Sequence, residues 1–509
     1  MNCFRKERFS VAISACLIFF AAALYSNTHV HGQSEPTIEV GNRKQLFIDK
    51  KFIASSKNIE LTMNSPYQTG EVLIEADQPW ELQPTPGAVA VYSSVLKDGD
   101  RVRIWYDLIQ PTGSGPYDHN RRVCYAESKD GLHFVKPKLG LHEINGSKAN
   151  NVVLPGVIGG CAVWIDPKAP PEHRYKTQTK VYPSGHFHMH SSPDGIHWQL
   201  FADIDPRGPR DTQTIVFWDK DLGRYLFYGR DKDTESEINI NCRCVRRAEM
   251  TDLTKIQNTG VILGPDKADL NTHPLPKGKT PVDYYGATVF PYNEADGVYI
   301  MLAHAFWHWG PKEDANSRAT FDVRLATSRD SKKFERQGAR QPFMRLGPEG
   351  RFDSRYVWAM PNPIRMGDEI WIYYVGSNTD HNDHVDPATP GGKRLGAVSR
   401  AVMRLDGFVS ADAPYEGGQL TTPTIRFAGK KLELNLDTSG GGSVRVELLD
   451  EKGEPIEGYT ASDAMPLFGN SVRMPVSWGD NTDVSRLAGK PIKIRFIMRD
   501  CKLYAFQFK

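Results

Sequence analysis

Alternating apolar and polar positions recur in short runs along this chain. The runs combine aromatic with β-branched side chains, a composition and a period of two that favour a pleated strand over a helix. Five such runs lie at residues 103–106, 174–177, 224–228, 298–302 and 370–374. Most of them follow a turn signal rich in Asp and Gly. Because helical periodicity is nearly absent, the sequence predicts an all-β fold.

A tight turn built around an aspartate is a second repeating pattern. Segments 126–134, 190–198 and 326–334 share a small or polar start, a central Asp and an aromatic residue four positions after it, and 248–256 and 404–408 are weaker copies. The aspartates fall at positions 130, 194, 252, 330 and 406, so their spacings are 64, 58, 78 and 76 residues. Such spacings suit four-stranded blades with long loops. We therefore predict a five-bladed β-propeller with each turn in an equivalent outer hairpin; the alternative is an array of β-sandwiches.

The pattern changes after Pro414. The aspartate repeat stops, and short alternating strands lie at residues 432–436, 444–448, 492–497 and 503–508. This pattern is typical of a compact β-sandwich. The predicted domains are a signal peptide over residues 1–32, the propeller as catalytic domain over 33–413 and the sandwich over 414–509. The sandwich either binds sugar or braces the propeller, and we favour bracing.

The first residues have the features of an export signal. Arg5, Lys6 and Arg8 precede an apolar stretch over residues 9–24, and small residues at positions 30 and 32 suit a cleavage site before Gln33. Lipidation at Cys16 is the weaker alternative. No later segment reaches the roughly 18 apolar residues of a membrane helix. We expect a secreted or periplasmic protein without a membrane anchor after cleavage.

Charge and cysteine content narrow the functional classes. With 63 Lys and Arg against 61 Asp and Glu, the chain has no electrostatic footprint for nucleic acid. Five scattered cysteines remain after residue 32, which does not indicate a disulfide scaffold. Cys242 and Cys244 are expected to be buried on one face of a strand. The sequence does not indicate an oligomeric state.

Carboxylates precede the innermost strands of four of the predicted blades. Since a propeller brings the starts of these strands to one end of its axis, the carboxylates are expected to converge there. A pair of carboxylates in one cleft is what cleavage of a glycosidic bond requires, one protonated and one ionised. The candidates are Glu81, Asp211 and Asp353, with Asp283 in reserve. The sequence does not distinguish the acid from the base or nucleophile.

Side chains suited to binding a sugar surround these carboxylates. Aromatic faces stack on a pyranose ring, and amides or Arg reach its hydroxyl groups. The predicted substrate-binding residues are Trp80, Arg210, Gln213, Tyr284, Tyr285, Arg355, Tyr356, Trp358, His304, Asp380 and His381. The partner is therefore expected to be a carbohydrate substrate.

Two histidine-rich segments raise the question of a metal. His186, His188 and His190 alternate on one strand face, and residues 380–384 hold Asp and His side chains after another strand. For the first segment we favour a packed or solvated face. For the second, a calcium or zinc site and a substrate contact both stay open. We predict no cofactor, and the chain contains no nucleophile elbow, phosphate loop or dinucleotide fingerprint.

Several segments together resemble secreted bacterial propeller proteins. Residues 45–49, 79–81, 194–198, 211–213, 488–492 and 504–506 carry the resemblance. It points to the five-bladed propeller glycoside hydrolases of families 32 and 43 with a C-terminal β-sandwich. The Asn-Asp-Pro-Asn and Glu-Cys motifs of family 32 are missing, and Arg210-Asp211 matches only part of its Arg-Asp-Pro motif. The resemblance thus implies a transition-state role for Asp211, without sucrose or fructan specificity.

Together these features predict an exported glycoside hydrolase that acts on a poly- or oligosaccharide. One alternative is a carbohydrate-binding or scaffold propeller without catalysis, which the missing motifs favour. Another is a phosphorylase-like transferase, which would need basic residues such as Arg210 and Arg355 around a phosphate.

Overall fold

The computed structural model of the chain describes residues 36–112, 119–156, 161–180, 186–204, 212–233, 241–271, 280–310, 318–381 and 385–509. The predicted signal peptide, Arg210 and Asp211 lie outside this part of the chain. Residues Thr37–Lys509 form one compact unit. The described residues are nearly all in strands and loops, so the predicted all-β fold is confirmed. None of their helices is both long and apolar enough to cross a membrane.

Helical structure is confined to short turns. The one α-helical turn among the described residues, α1, spans Pro79–Leu82, and 3-10 turns lie at Lys50–Phe52, Pro171–His173, Asp269–Asn271, Gly338–Arg340, Pro390–Gly392 and Ser485–Leu487. Pro79 at the first helical position suits a helix start because its missing N–H would have no partner there.

Three four-stranded antiparallel sheets, each in sequence order, make up the first part of the fold. Sheet 1 contains β6 (Ala88–Asp98), β7 (Arg101–Pro111), β8 (His119–Ser128) and β9 (Val152–Pro155). Sheet 2 contains β10 (Trp164–Ile165), β11 (Tyr175–Lys180), β12 (Phe187–Ser192) and β13 (Gln199–Ile204). Sheet 3 contains β14 (Ile215–Asp219), β15 (Arg224–Asp233), β16 (Cys242–Met250) and β17 (Gln257–Leu263).

Two further antiparallel groups follow, joined by a single parallel pair between Phe321 and Tyr356. Sheet 4 contains β18 (Val282–Pro291), β19 (Tyr299–Trp307), β20 (Thr320–Ser328) and β21 (Glu335–Arg336). Sheet 5 contains β22 (Tyr356–Ala359), β23 (Ile364–Met366), β24 (Glu369–Ser377), β25 (Gly396–Arg404) and the early strand β5 (Tyr67–Gln68). Because β5 pairs with β25, a strand from the start of the chain completes its last blade-like sheet.

The remaining strands form a C-terminal module. Its strands are β1 (Ile38–Gly41), β2 (Gln45–Leu46), β3 (Ser55–Lys57), β4 (Glu60–Met63), β26 (Val409–Ala413), β27 (Gly418–Thr421), β28 (Ile425–Phe427), β29 (Leu432–Leu449), β30 (Asn470–Pro475) and β31 (Lys493–Phe508). The sequence placed residues 38–63 with the first domain, but the structure pairs them with these late strands. The apolar rings of Phe47 and Phe52 account for this, since both pack edge-on against phenylalanines of β31. Whether 33–413 and 414–509 fold as separate domains stays a prediction.

Shared hydrophobic cores place the five sheets in a cyclic order. Separate cores join sheet 1 to sheet 2, sheet 2 to sheet 3, sheet 3 to sheet 4 and sheet 4 to sheet 5. A further core joins sheet 5 back to sheet 1, with Trp371 and Tyr373 against Val95 and Ile104. Such a cyclic arrangement is what a β-propeller requires.

The aspartate turns at Asp130, Asp194 and Asp330 occupy equivalent places, after the third strand of sheets 1, 2 and 4. In sheet 1 the Asp130 Oδ1 accepts the N–H groups of Leu132 (2.8 Å) and His133 (2.9 Å). Asp194 and Asp330 accept the corresponding N–H groups in sheets 2 and 4. Each of these turns is stabilised by hydrogen bonds between residues that are two or three positions apart. The repeat is therefore visible in the sequence.

An aromatic side chain from a neighbouring sheet closes three of these turns. Trp105 of sheet 1 donates to the carbonyl of Gly195 in sheet 2 at 2.6 Å. Tyr228 of sheet 3 donates to Ser331 in sheet 4 at 3.0 Å, and Tyr373 of sheet 5 donates to Gly131 in sheet 1 at 2.8 Å. We call these three contacts the turn clasps.

The C-terminal module is held to the sheets through Asp406. This buried carboxylate accepts hydrogen bonds from Lys44 (2.7 Å), from Tyr292 of sheet 4 (2.8 Å) and from Asn435 of β29 (2.9 Å). The three donors come from the start, middle and end of the chain, so the contact ties the module to the sheets.

Candidate active site

Glu81, the first predicted catalytic carboxylate, is fully buried in α1. Its Oε2 accepts the N–H groups of Asp77 (3.0 Å) and Gln78 (2.9 Å) and the ammonium of Lys136 (2.7 Å). Its Oε1 accepts the hydroxyl of Tyr106. These are the contacts of a helix-capping residue with a buried ion pair.

Asp353, the second predicted carboxylate in the described chain, is buried against β24 of sheet 5. Its Oδ2 accepts the hydroxyl of Tyr374 at 3.0 Å, whereas its Oδ1 has no hydrogen-bond partner among the described residues. Burial raises the pKa of this carboxyl, with the Tyr374 hydrogen bond acting against the shift. A Cβ at Gly347 would lie 1.9 Å from Oδ1, so the side chain fills a space that exists only beside glycine.

Asp283 is enclosed by donors at the start of β18. Arg243 at 2.7 Å, His308 at 3.1 Å and Thr280 at 3.2 Å all donate to its carboxylate. Burial alone would raise the pKa of Asp283, but the hydrogen bonds and positive charge of His308 and Arg243 outweigh it and hold that pKa below its usual value. Arg243 also lies over the ring of Tyr285, with 4.9 Å from its guanidinium carbon to the ring centroid.

The structure brings five predicted substrate-binding residues together in one cavity of about 130 Å³. The cavity lies where sheets 1, 4 and 5 meet. The five are Tyr285, Tyr356, Trp358, Asp380 and His381. The predicted catalytic carboxylates that the structure describes, Glu81, Asp283 and Asp353, do not line this cavity. We call this space the central cavity.

Polar contacts fix the orientation of the cavity walls. The hydroxyl of Tyr285 lies 3.2 Å from Nε2 of His381. The Oδ2 of Asp380 accepts the N–H of Arg318 at 2.8 Å. Asp380 is 4% exposed, so it presents a carboxylate in an environment with little water.

Gln213 and His304 support the cavity from behind Trp358. Gln213 donates to the carbonyls of Ser93 and Cys161, both at 2.9 Å, and accepts the indole N–H of Trp358 at 3.4 Å. The ring of His304 stacks on Trp358, with centroids 3.7 Å apart, and its Nε2 lies 3.2 Å from the carbonyl of Ala359. Because a carbonyl only accepts, Nε2 carries the hydrogen. Burial lowers the pKa of His304 to about 3, so the ring is neutral at neutral pH.

Three other predicted binding residues lie away from the central cavity. The indole of Trp80 donates to Asn151 at 2.9 Å. Arg355 pairs with Asp386 at 3.0 Å. Tyr284 points to the other face of β18, into the core between sheets 3 and 4, and burial raises its pKa to about 12.

Four further residues belong to the cavity region but were not predicted from the sequence: Tyr92, Asp107, Arg121 and Arg394. Arg121 and Arg394 line the cavity. Arg121 Nε donates to Asp107 Oδ1 at 3.2 Å, its Nη2 contacts the other oxygen, and its guanidinium lies over the ring of Tyr92. Asp107 is 3% exposed within the apolar strand β7. The signal in the sequence was a carboxylate within an apolar run. Because burying an unpaired charge is costly, such a carboxylate is expected to have a charged partner.

The histidine and cysteine features that the sequence singled out lie in or next to strands of sheets 2 and 3. The His190 ring lies 2.9 Å from the Thr179 hydroxyl, and His186 lies 2.9 Å from Asp203. Cys242 and Cys244 are buried in β16 as predicted. The described ranges contain no group of three or more His, Cys, Asp or Glu side chains placed to hold a metal, and residues 382–384 lie outside them.

Comparisons with known proteins give structural likeness only. No protein-family model matches the chain, and no curated protein matches it significantly. A β-1,2-mannobiose phosphorylase from Listeria innocua is 15% identical over 68% of this chain and 98% of its own, with a TM-score of 0.47. A glycosyl hydrolase from Bacteroides ovatus is 12% identical over 72% and 94%, with a TM-score of 0.38. An N-acetylgalactosamine deacetylase from F. plautii is 14% identical over 68% and 96%, with a TM-score of 0.42. At these values the likeness assigns no activity to this chain.

Proposed function

We propose that this protein is a carbohydrate-active enzyme that cleaves a glycosidic bond in the central cavity. The observation that carries the proposal is the joint presence of Asp380, a Tyr285–His381 pair and the ring of Trp358 around one space. A carboxylate moves a proton, the Tyr–His pair supplies hydrogen-bonding groups, and the buried aromatic rings form an apolar wall for a sugar ring.

The size of the cavity supports a small polar ligand. Its volume of about 130 Å³ is well below the roughly 300–1,000 Å³ of common ligand pockets. Trp358 is held in place by His304 on one side and by Tyr92, edge-on with centroids 5.7 Å apart, on another. A rigid wall of this kind suits a single sugar unit, which we infer to be the terminal unit of a longer chain.

Asp380 is the carboxylate that we assign to proton transfer. It lines the cavity, and the backbone N–H of Arg318 orients one of its oxygens. Hydrolysis requires a second carboxylate on the opposite side of the bond. Among the residues that the structure describes, Asp107 is the candidate for this second carboxylate, because its partner Arg121 lines the cavity. Asp211 stays a second candidate.

Phosphorolysis is the second candidate reaction. Two arginines, Arg121 and Arg394, line the same cavity as Asp380. Guanidinium groups bind phosphate oxygens in a bidentate manner. In this reaction phosphate would replace water as the attacking group, and only one carboxylate would be needed.

Export belongs to the proposal as well. It rests on the basic and apolar pattern of the first 24 residues and the small residues before Gln33. A mature protein that begins near Gln33 would meet its substrate outside the cytoplasm.

The test measures turnover of poly- and oligosaccharides by the purified mature protein, with and without phosphate. Asp380→Asn removes the charge while preserving the volume, so we expect turnover to fall about 10²- to 10⁴-fold with unchanged folding. Asp480→Asn, an exposed carboxylate of the C-terminal module, is the matched control and should keep full activity. Dependence on phosphate would identify the phosphorylase.

Two outcomes would contradict the proposal. Full activity of Asp380→Asn would remove Asp380 from the reaction. Binding of a saccharide without turnover of any substrate, with or without phosphate, would favour the non-catalytic binding protein instead.

A further inference from the structure

A groove crosses the hairpin turns of sheets 2, 3 and 4. It consists of two cavities, of about 480 and 340 Å³, which share Trp218 as a common wall. The larger cavity extends from Trp218 to the turn between β10 and β11. The smaller extends from Trp218 to the turn between β18 and β19. We call the two together the hairpin groove.

The hairpin groove is separate from the central cavity. The two share no lining residue among those described. Gln213, which contacts Trp358 behind the central cavity, precedes β14, and Trp218 lies near the other end of that strand. Five residues of strand span about 16 Å, so a ligand in one place does not occupy the other.

Aromatic and apolar side chains are open to solvent along the groove. Phe201 lines the larger cavity and is 41% exposed, and Trp218 is half-buried. The Lys168 ammonium lies 5.3 Å from the Trp218 ring, and the Lys176 ammonium lies 5.2 Å from the Phe201 ring. Each ring is partly exposed and has an ammonium over one face, so the groove offers apolar ring surface beside hydrogen-bond donors, the two kinds of contact that a sugar ring needs.

The acidic and basic side chains that line the groove are equal in number, four of each. Asp166 accepts the hydroxyl of Tyr225 at 3.0 Å and lies 3.9 Å from Lys176. Tyr299 donates to Asp219 at 2.6 Å. At the far end, Arg43 pairs with an aspartate of the turn between β18 and β19 at 2.5 Å. Since neither sign is in excess, the groove offers little attraction to a phosphate or a polyanion.

We propose that the hairpin groove binds an extended chain of neutral sugar units. Its two cavities meet at Trp218 and are lined by hairpin turns of three consecutive sheets, which suits a ligand longer than one ring. Hydroxyl and amide groups of Thr254, Ser191 and Asn293 line it beside the aromatic rings and match sugar hydroxyl groups. The groove would hold a polymer on the protein at a distance from the central cavity, a role beyond the proposed cleavage.

Affinity electrophoresis of the full chain tests this without turnover. The Asp380→Asn protein is run through native gels that contain starch, xylan, galactomannan or arabinan, with polygalacturonate as the anionic comparison. We expect at least one neutral polymer to slow the protein. Phe201→Ala and Trp218→Ala should each weaken that binding at least five-fold. Phe201 is the safer variant, because its exposed ring contributes little to folding, and thermal unfolding checks both.

The controls separate this site from others. Phe468→Ala removes a ring of the C-terminal module that is 70% exposed and should leave the retardation unchanged. The proposal is overturned if no neutral polymer slows the protein, if polygalacturonate binds more tightly, if both groove variants bind normally, or if Phe468→Ala abolishes binding. If no polymer slows the protein but the unsubstituted protein still turns over a saccharide, the proposed groove site is refuted and the proposed function stands.

Discussion

Glu81 is held by four donors, and its charge is matched by Lys136 inside the protein. Replacing it with Gln would remove the buried partner of the Lys136 ammonium, whose side chain is 9% exposed, and leave it with Asp77, a more exposed carboxylate at 2.7 Å. We expect Glu81→Gln to lower the free energy of unfolding by about 2 kcal/mol, less than the roughly 3–5 kcal/mol of a buried charge that keeps no partner. Urea unfolding of the purified protein measures this change.

A double-mutant cycle is the control for this prediction. Lys136→Met alone should cost a similar amount, and the double variant should cost less than the sum of the two. Unchanged stability of Glu81→Gln, combined with lost turnover, would return Glu81 to a catalytic role.

His304 makes the stability of the protein depend on pH. Its pKa is lowered to about 3 by burial, below its value of about 6.5 in the unfolded chain, so the unfolded state binds more protons between these values. Its contribution to stability is therefore complete above pH 6.5 and is lost as pH falls toward 3. Between pH 7 and pH 5, His304 should account for about 2 kcal/mol of that loss.

The test compares urea unfolding of the unsubstituted protein and of His304→Gln at pH 7 and at pH 5. The variant should lose about 2 kcal/mol less between these two conditions, whatever its absolute stability. An identical loss in both proteins would mean that His304 is charged or exposed in the folded state.

Among the secondary-structure elements, the turn clasps link neighbouring sheets. In the clasp between sheets 1 and 2, the turn residue Gly195 has no room for a side chain. Gly195 has a φ of +78°, and a Cβ there would lie 2.6 Å from the ring of Trp105. Gly195→Ala combines a left-handed conformation, costing roughly 1–2 kcal/mol, with overpacking, costing roughly 1–3 kcal/mol. We expect a loss of about 3 kcal/mol in the free energy of unfolding.

Gly223→Ala is the matched control. Gly223 has a φ of +64°, but a Cβ at this position would have no atom within 4 Å, so only the conformational cost of roughly 1–2 kcal/mol applies. Denaturant titrations of both variants separate the two contributions. Equal losses would show that the contact of Trp105 with the turn does not limit the packing of sheets 1 and 2.

For the molecule as a whole, the sequence predicted those features that depend on residues close together in the chain. The turns at Asp130, Asp194 and Asp330 and the alternating strands are local, and the structure contains both at the positions that the patterns indicate. The Asp107–Arg121 pair depends instead on the register of β7 and β8, which aligns Asp107 with Val123 and Ile109 with Arg121. No local pattern fixes that register across a hairpin, so Arg121 could not be placed in the site.

The closing strand β5 was missed for a related reason. It has only two residues, and its partners Ala401 and Val402 lie more than 300 residues later. A strand so short has no measurable periodicity. The position of Glu81 before a strand is visible in the sequence, but its structural role is not. That role depends on Lys136, which comes near Glu81 only in the folded chain.

The pairing of the first strands with the last has a consequence for the order of events during synthesis. The Asn42 carbonyl accepts a hydrogen bond from Gln507, 465 residues further along the chain. At translation rates of roughly 5–20 residues per second, this partner appears on the order of a minute after Asn42. Throughout that interval Phe47 and Phe52 lack the aromatic core that covers them in the finished protein. The nascent chain thus carries an uncovered apolar segment around residues 47–52 until its last strand has been made.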